Sequence, residues 1–347
     1  MTLPCRITTL GLIALLFQGI PATARVLKTK IERVPVKIQR LYKASASTVK
    51  VSVKDERAPD PLLASGNFGF GSRVGFYTED PAAVQKAIET AALDALPVLG
   101  LKQGEGVTLE IALKELRVDS FVKLGPLPHG IAYLRASVSV RSGDGKVQSE
   151  HAQQLAVHAR GPLNILFARL GWALAATALP EALALEPDAV PVADLARALG
   201  ESSEEAFLEQ ATIWAGIAGA QNPSMAGRLL ALFRTAEKWN VSENALLSLA
   251  TMKSPLAMQE IQGILTGTNK VKNWDTKDAA RSWHLIRALS ILGEKSLTAR
   301  IPKVSVFPEI LTDLVSFLDT GRIPPFDPKT TAEISKLRDE ARKTLGN

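Results

Sequence analysis

Along the first half of the chain, apolar and polar residues alternate with a period of two. Val49, Val51 and Val53 are separated by Lys50, Ser52 and Lys54; Val107, Leu109, Ile111 and Leu113 repeat the pattern, as do Ala132, Leu134, Ala136, Val138 and Val140. Such alternation predicts half-buried strands. The phase slips at Leu116 and Val118, which predicts a bulge. Asp144-Gly145 predicts a hairpin turn, with a return strand over 147–157. Val34, Val36 and Ile38, alternating with Pro35 and Lys37, predict a further strand with one wet face. Asp80-Pro81 reads as a helix N-cap followed by proline at the first helical position. From there Val84, Ala87, Ile88, Ala91, Leu93 and Leu96 fall at helical spacing up to Gly100. A second helix is predicted over 162–179. The order predicts an α+β N-terminal domain, 25–185, with a mostly antiparallel sheet and two helices.

The alternation disappears at about Val192, beyond Pro180, Pro187 and Pro191, and apolar residues then recur at helical spacing. A domain boundary is predicted between 180 and 200, with an all-α domain over 195–347. This half resembles itself. Shifted by 32 positions, Ile217, Ala218, Pro223, Leu229 and Phe233 fall on Leu249, Ala250, Pro255, Ile261 and Leu265. Shifted by 40, Leu246, Leu249, Met252 and Ile261 fall on Ile286, Leu289, Leu292 and Ile301. Each unit reads as helix, short break, helix, which resembles HEAT-type helical repeats. One helical hairpin cannot bury its apolar face, so stacking is the physical expectation; a plain helical bundle stays open as the alternative. The charged stretch 329–343 predicts a surface capping helix.

Charge and cysteine then set the compartment. Arg6 is the one charge before the apolar run 7–20, which is followed by Pro21-Ala22-Thr23-Ala24. A basic start, a short apolar run and A-x-A predict a signal peptide over 1–24, cleaved between Ala24 and Arg25. Cleavage removes Cys5, the single cysteine, and with it disulfides, thiolate catalysis and cysteine–zinc sites. A periplasmic protein is expected, with no transmembrane segment in the mature chain. Of the 347 residues, 46% are hydrophobic and 22% charged, which excludes disorder. The formal charge of +6 is too small to suggest a nucleic-acid partner. The segment 25–43 concentrates seven bases (Arg25, Lys28, Lys30, Arg33, Lys37, Arg40, Lys43) against Glu32, so it is either a solvated face or a contact to anionic lipid.

Three stretches carry a resemblance: "VKVSVKDER" (49–57), the glycine-rich run up to Gly75, and "DPAAVQKAIETAALDALPVLGL" (80–101). With the strands that follow, residues 45–180 resemble the auxiliary lipoproteins of ABC-type transport systems and their small outer-membrane relatives. The resemblance implies an envelope α/β module that works beside a transport system. The chain departs from that pattern in two ways. Cys5 precedes the apolar run, where it cannot bear the lipid, and a helical half follows residue 180.

Candidate chemistry is sparse. His151 and His158 are seven apart on a predicted strand and so face opposite sides; His129 follows a proline in a turn, and His284 sits on a helix beside Trp283. No H-E-x-x-H or paired-histidine spacing occurs, so no metal ligand is predicted. Ser47-x-x-Lys50 opens a strand instead of a helix, and Ser224 lacks the glycine that a nucleophile elbow needs. "GNFGFGSRVG" (66–75) does not complete a phosphate-cradling G-x-G-x-x-G. No catalytic or cofactor-binding residue is therefore predicted. Aromatic and arginine anchors suggest partner contacts at Trp283, His284 and Arg287, and at Phe68 and Phe70 in the glycine-rich loop or irregular edge strand. The expectation is a non-enzymatic, exported scaffold of the bacterial envelope that binds a protein or peptide through its helical repeats. The alternative is a lipid- or glycan-handling accessory of an envelope transport system.

Overall fold

The computed structural model describes residues 25–67, 73–121, 129–160, 163–220, 222–268, 271, 274, 279–305 and 308–346. The signal-peptide expectation, with Ala22 and Ala24, and the contacts expected of Phe68 and Phe70 lie outside the described residues. Eight strands form one sheet: β1 (Arg25–Lys28), β2 (Thr48–Asp55), β3 (Leu62–Asn67), β4 (Arg73–Tyr77), β5 (Lys102–Gln103), β6 (Val107–Phe121), β7 (His129–Ser142) and β8 (Val147–Arg160). Helix α1 (Ala83–Ala95) lies between β4 and β5, and α2 (Leu163–Ala182) follows β8.

Strand β6 organises the sheet. Along one edge it pairs antiparallel with β7, which pairs antiparallel with β8. Along the other, Val107–Leu113 pairs with β2 and Asp119–Phe121 with β3, both parallel. Two further parallel pairs, β1 with β4 and β2 with β5, bring the total to four parallel pairings of seven. The sheet is thus mixed and, by pairings, mostly parallel, which corrects the expected antiparallel layer with two helices. Alternation reports a strand but is blind to its direction; direction follows from the connections, and the chain crosses over through β3, β4 and α1 before β6 returns beside β2. The helical cover is also larger than expected, because α12 (Pro328–Leu345), from the far end of the chain, packs on β1, β3 and β4.

The segment 34–38 forms no strand. Pro35 has no N–H to give to a ladder, and the side chain of Gln210 takes the place of a neighbouring strand: Lys37 N donates to its Oε1 at 2.7 Å and its Nε2 donates to Pro35 O at 3.0 Å. The slip of phase after Leu113 is a bulge, the register jumping from Leu113 to Glu115. Because of it, Leu116 and Val118 stay on the same face as Leu109 and Ile111. That face is covered by α1 and α2, which also pack on each other. Helix α2 is long and apolar enough to cross a membrane; 61% of its apolar window is buried inside the molecule.

The second half is helical: α3 (Ala189–Glu201), α4 (Glu205–Ala218), α5 (Pro223–Thr235), α6 (Trp239–Thr251), α7 (Pro255–Thr266), α8 (Ala279–Leu292), the short α9 (Lys295–Thr298) and α10 (Ile301–Val304), and α11 (Pro308–Thr320). Helices α4, α6, α8 and α11 pack each on the next. Helix α5 alternates with them, packing on α3 and α6, and buries only Met225, Leu229 and Phe233. Pro223 and Pro255, paired by the 32-residue shift, both stand at the first turn of a helix, α5 and α7. A single buried cluster runs from Ile38 through both halves to Phe317.

Candidate functional site: a buried histidine–glutamate cluster

The second face of the sheet presents Ile131 and Tyr133 on β7 and, paired with Ile131, His158 on β8. At one end of this face Glu110 bonds Ser139 and Arg141 in contact with solvent. At the other, the inner helices close over it: Tyr133 meets Phe317 of α11 edge-on at 5.3 Å, and α6 and α8 bring Glu243 and His284 against His158. Two turns of pattern produce this. The odd spacing from His151 puts His158 on the covered face of β8, and the apolar stripe Leu285, Ile286, Leu289 buries α8 so deeply that its neighbour His284 goes in with it.

Three imidazoles and a carboxylate meet there in a line. His129 Nδ1 lies 3.1 Å from His158 Nε2, His158 Nδ1 lies 3.1 Å from His284 Nε2, and His284 Nε2 lies 3.0 Å from Glu243 Oε2. His158, His284 and Glu243 are 4%, 1% and 2% exposed. Trp239 packs on the rings of His129 and His158, and Trp283 on those of His158 and His284. Burial holds the His158 and His284 imidazoles well below the usual histidine range, and the positive charge of Arg169 acts in the same direction on both. Both are therefore neutral at pH 7. Arg169 donates to His158 O at 2.5 Å and bridges to Glu209, so its own charge is balanced locally. Desolvation pushes the pKa of Arg287, one turn beyond His284, down to about 10.

A second polar knot joins the same face to the end of the chain. Arg117 of β6 reaches Asp119 at 2.7 Å and Asp313 of α11 at 2.8 Å, donates to Pro324 O at 2.8 Å, and lies 3.9 Å over the Phe326 ring. Outside it, a cleft of about 380 Å³ opens between β3, β6 and the segment 323–338, lined by Arg57, Asp60, Leu63, Lys114, Phe326 and Arg338.

Of the sequence-predicted contacts, Trp283 and His284 face inward at 1% exposure each, so neither is on the surface for a partner, and Arg287 is half-buried. Arg25 sits in β1. The basic stretch that follows is matched by acids: Lys28, Lys30, Arg33, Lys37, Arg40 and Lys43 pair with Glu79, Glu32, Asp94, Glu204, Asp188 and Glu186. Sequence reasoning missed Glu243 and the convergence of the histidines. The available signal was the apolar stripe on α8, which marks His284 as buried, together with the parity of His158.

Fold and site define a mixed-sheet protein whose stacked helices close over one sheet face around a buried His–Glu cluster. No family model and no curated protein matches the chain. Among solved structures it is similar to protein XCC0632 from Xanthomonas campestris, of family DUF330, at 10% identity and a TM-score of 0.24, over 43% of this chain and 87% of that one. A likeness this loose carries no argument about fold or function.

Proposed function

We propose that this chain is a non-enzymatic, exported protein of the bacterial envelope that binds a protein or peptide partner through the outer surface of its helices. The observation that supports the reading is the sealing of its chemistry: the His–Glu cluster, the one place where imidazoles and a carboxylate meet among the described residues, is 1–4% exposed at its three innermost members. Groups placed so can join elements but cannot meet a substrate, and stacked helices bind through extended surfaces that need no catalytic residue. The lined-up pairs on segment 25–43 favour a structural use of its charges over a lipid contact.

In-cell crosslinking of the tagged, exported protein tests this. The expected outcome is one stoichiometric envelope protein, with the crosslink lost in the double variant Arg197→Glu/Arg228→Glu, whose residues are exposed on α3 and α5. Recovery of lipid or glycan alone, or of no protein under efficient crosslinking, would overturn the reading and favour the accessory role in transport. Point variants are the right tool, because removing 200–347 would strip the cover from Tyr133 and His158.

A further inference from the structure

We infer that His158, His284 and Glu243 form a binding site for one divalent first-row metal ion of the zinc type, a structural centre that clamps the helical half to the sheet. One donor atom from each of His158, His284 and Glu243 lies within 4.8 Å of the other two, and His284 Nε2 stands 3.1 Å from His158 Nδ1 and 3.0 Å from Glu243 Oε2. Ligands held about 2.0–2.1 Å from a tetrahedral zinc stand about 3.3 Å apart, so the three atoms already have nearly the spacing of a coordination shell. Two imidazole nitrogens and a carboxylate oxygen are also a donor set that suits zinc and its neighbours.

Hydrogen-bond accounting favours an ion over a plain network. His284 Nε2 faces two groups at bonding distance, His158 Nδ1 and Glu243 Oε2, yet a neutral imidazole nitrogen carries at most one proton. An ion at the point of convergence takes a lone pair from all three at once. An outer contact is in place too. His158 turns its second nitrogen, Nε2, to His129 Nδ1 at 3.1 Å, which is how ligating histidines are oriented. His129 is thus a positioning residue. Trp239 and Trp283 supply the apolar wall that keeps water from competing. The ligands come from β8, α6 and α8, so the ion would join the sheet to two helices of the inner row.

The test unfolds the purified protein in denaturant with chelator, removes the chelator, refolds with or without zinc ion alone, and measures metal retained after gel filtration. About one zinc per chain is expected, with a higher melting temperature than the metal-free sample. Cobalt ion in place of zinc should give the visible absorption of a four-coordinate site, the second carboxylate oxygen of Glu243 closing the shell beside the two imidazole nitrogens. His284→Ala and Glu243→Gln should each weaken zinc binding by more than about 100-fold, and His129→Gln by about 10–100-fold while keeping the cobalt spectrum, since it touches no metal. His151→Ala, on the other face of β8, should bind as the parent does. A parent protein that retains less than a tenth of an equivalent overturns the inference, and so does zinc binding that survives in folded Glu243→Gln. The parent's stoichiometry and cobalt spectrum need no variant to fold, so the outcome is decisive even where a variant fails.

Discussion

At the scale of single residues, the charges that matter are those held between the two halves. Arg117 is 13% exposed at its side chain and satisfies Asp119, Asp313 and a backbone carbonyl together. Removing one member of an enclosed ion pair leaves the other without compensation, a loss of about 3–5 kcal/mol where burial is complete. Arg117→Leu should therefore lower stability by about 3 kcal/mol at pH 7 in urea unfolding. The deficit should shrink at pH 5. Burial already raises the Asp119 carboxyl against the pull of Arg117, and a carboxyl raised on folding binds its proton more tightly in the native state. Its contribution is complete below the unfolded pKa and is lost as pH rises through the folded one, and loss of Arg117 moves that folded value higher still. An equal deficit at both pH values would show that Asp119 is not the group left stranded. The neighbouring histidines show why such sites were hard to read from the chain. Their parity was legible, and His151 and His158 do fall on opposite faces. Their convergence was not, because His158 and His284 are 126 positions apart and no local pattern encodes a contact at that range.

Elements obey local rules well where a pattern has one physical cause. The bulge in β6, the Asp144-Gly145 hairpin turn and the first-turn prolines of α5 and α7 all stand where residue order places them. Packing between elements adds demands that propensity does not state. Gly171 lies where α2 crosses α1; a Cβ there would come within 2.5 Å of Ile88 O and 2.6 Å of the Ala91 Cβ. Gly171→Val should destabilise the protein by about 1–3 kcal/mol, the range for forcing atoms into a packed contact. Gly227 is the control, an exposed glycine inside α5 with nothing within 4 Å of its added Cβ. Gly227→Ala should stabilise by about 0.5–1 kcal/mol through helix propensity. Denaturation midpoints of the two variants moving in the same direction would contradict this account of the α1–α2 crossing.

At the scale of the whole molecule, this geometry predicts unfolding as one cooperative body. The buried cluster is continuous from Ile38 to Phe317, α12 returns to cover β1, β3 and β4, and helices of the second half close over His158 and Tyr133. Calorimetry should show a single unfolding transition with matching calorimetric and van't Hoff enthalpies. Two resolved transitions would instead establish that residues 25–185 and 195–347 fold independently. The fragment 25–185 should expose Ile131 and Tyr133 and aggregate, a result that light scattering of the fragment would check.

Residue order alone was enough to mark strands β2, β6, β7 and β8, the slip in β6 and the helical character of the second half, because each is a statement about neighbours within a few positions. It did not reveal that the sheet is mostly parallel by pairings, that segment 34–38 bonds to a glutamine side chain instead of a strand, or that α12 closes the sheet. Nor did it reveal the meeting of His129, His158, Glu243 and His284. Strand direction is set by crossovers and side-chain convergence by the packing of whole layers, and both depend on distances through space that the spacing along the chain leaves free.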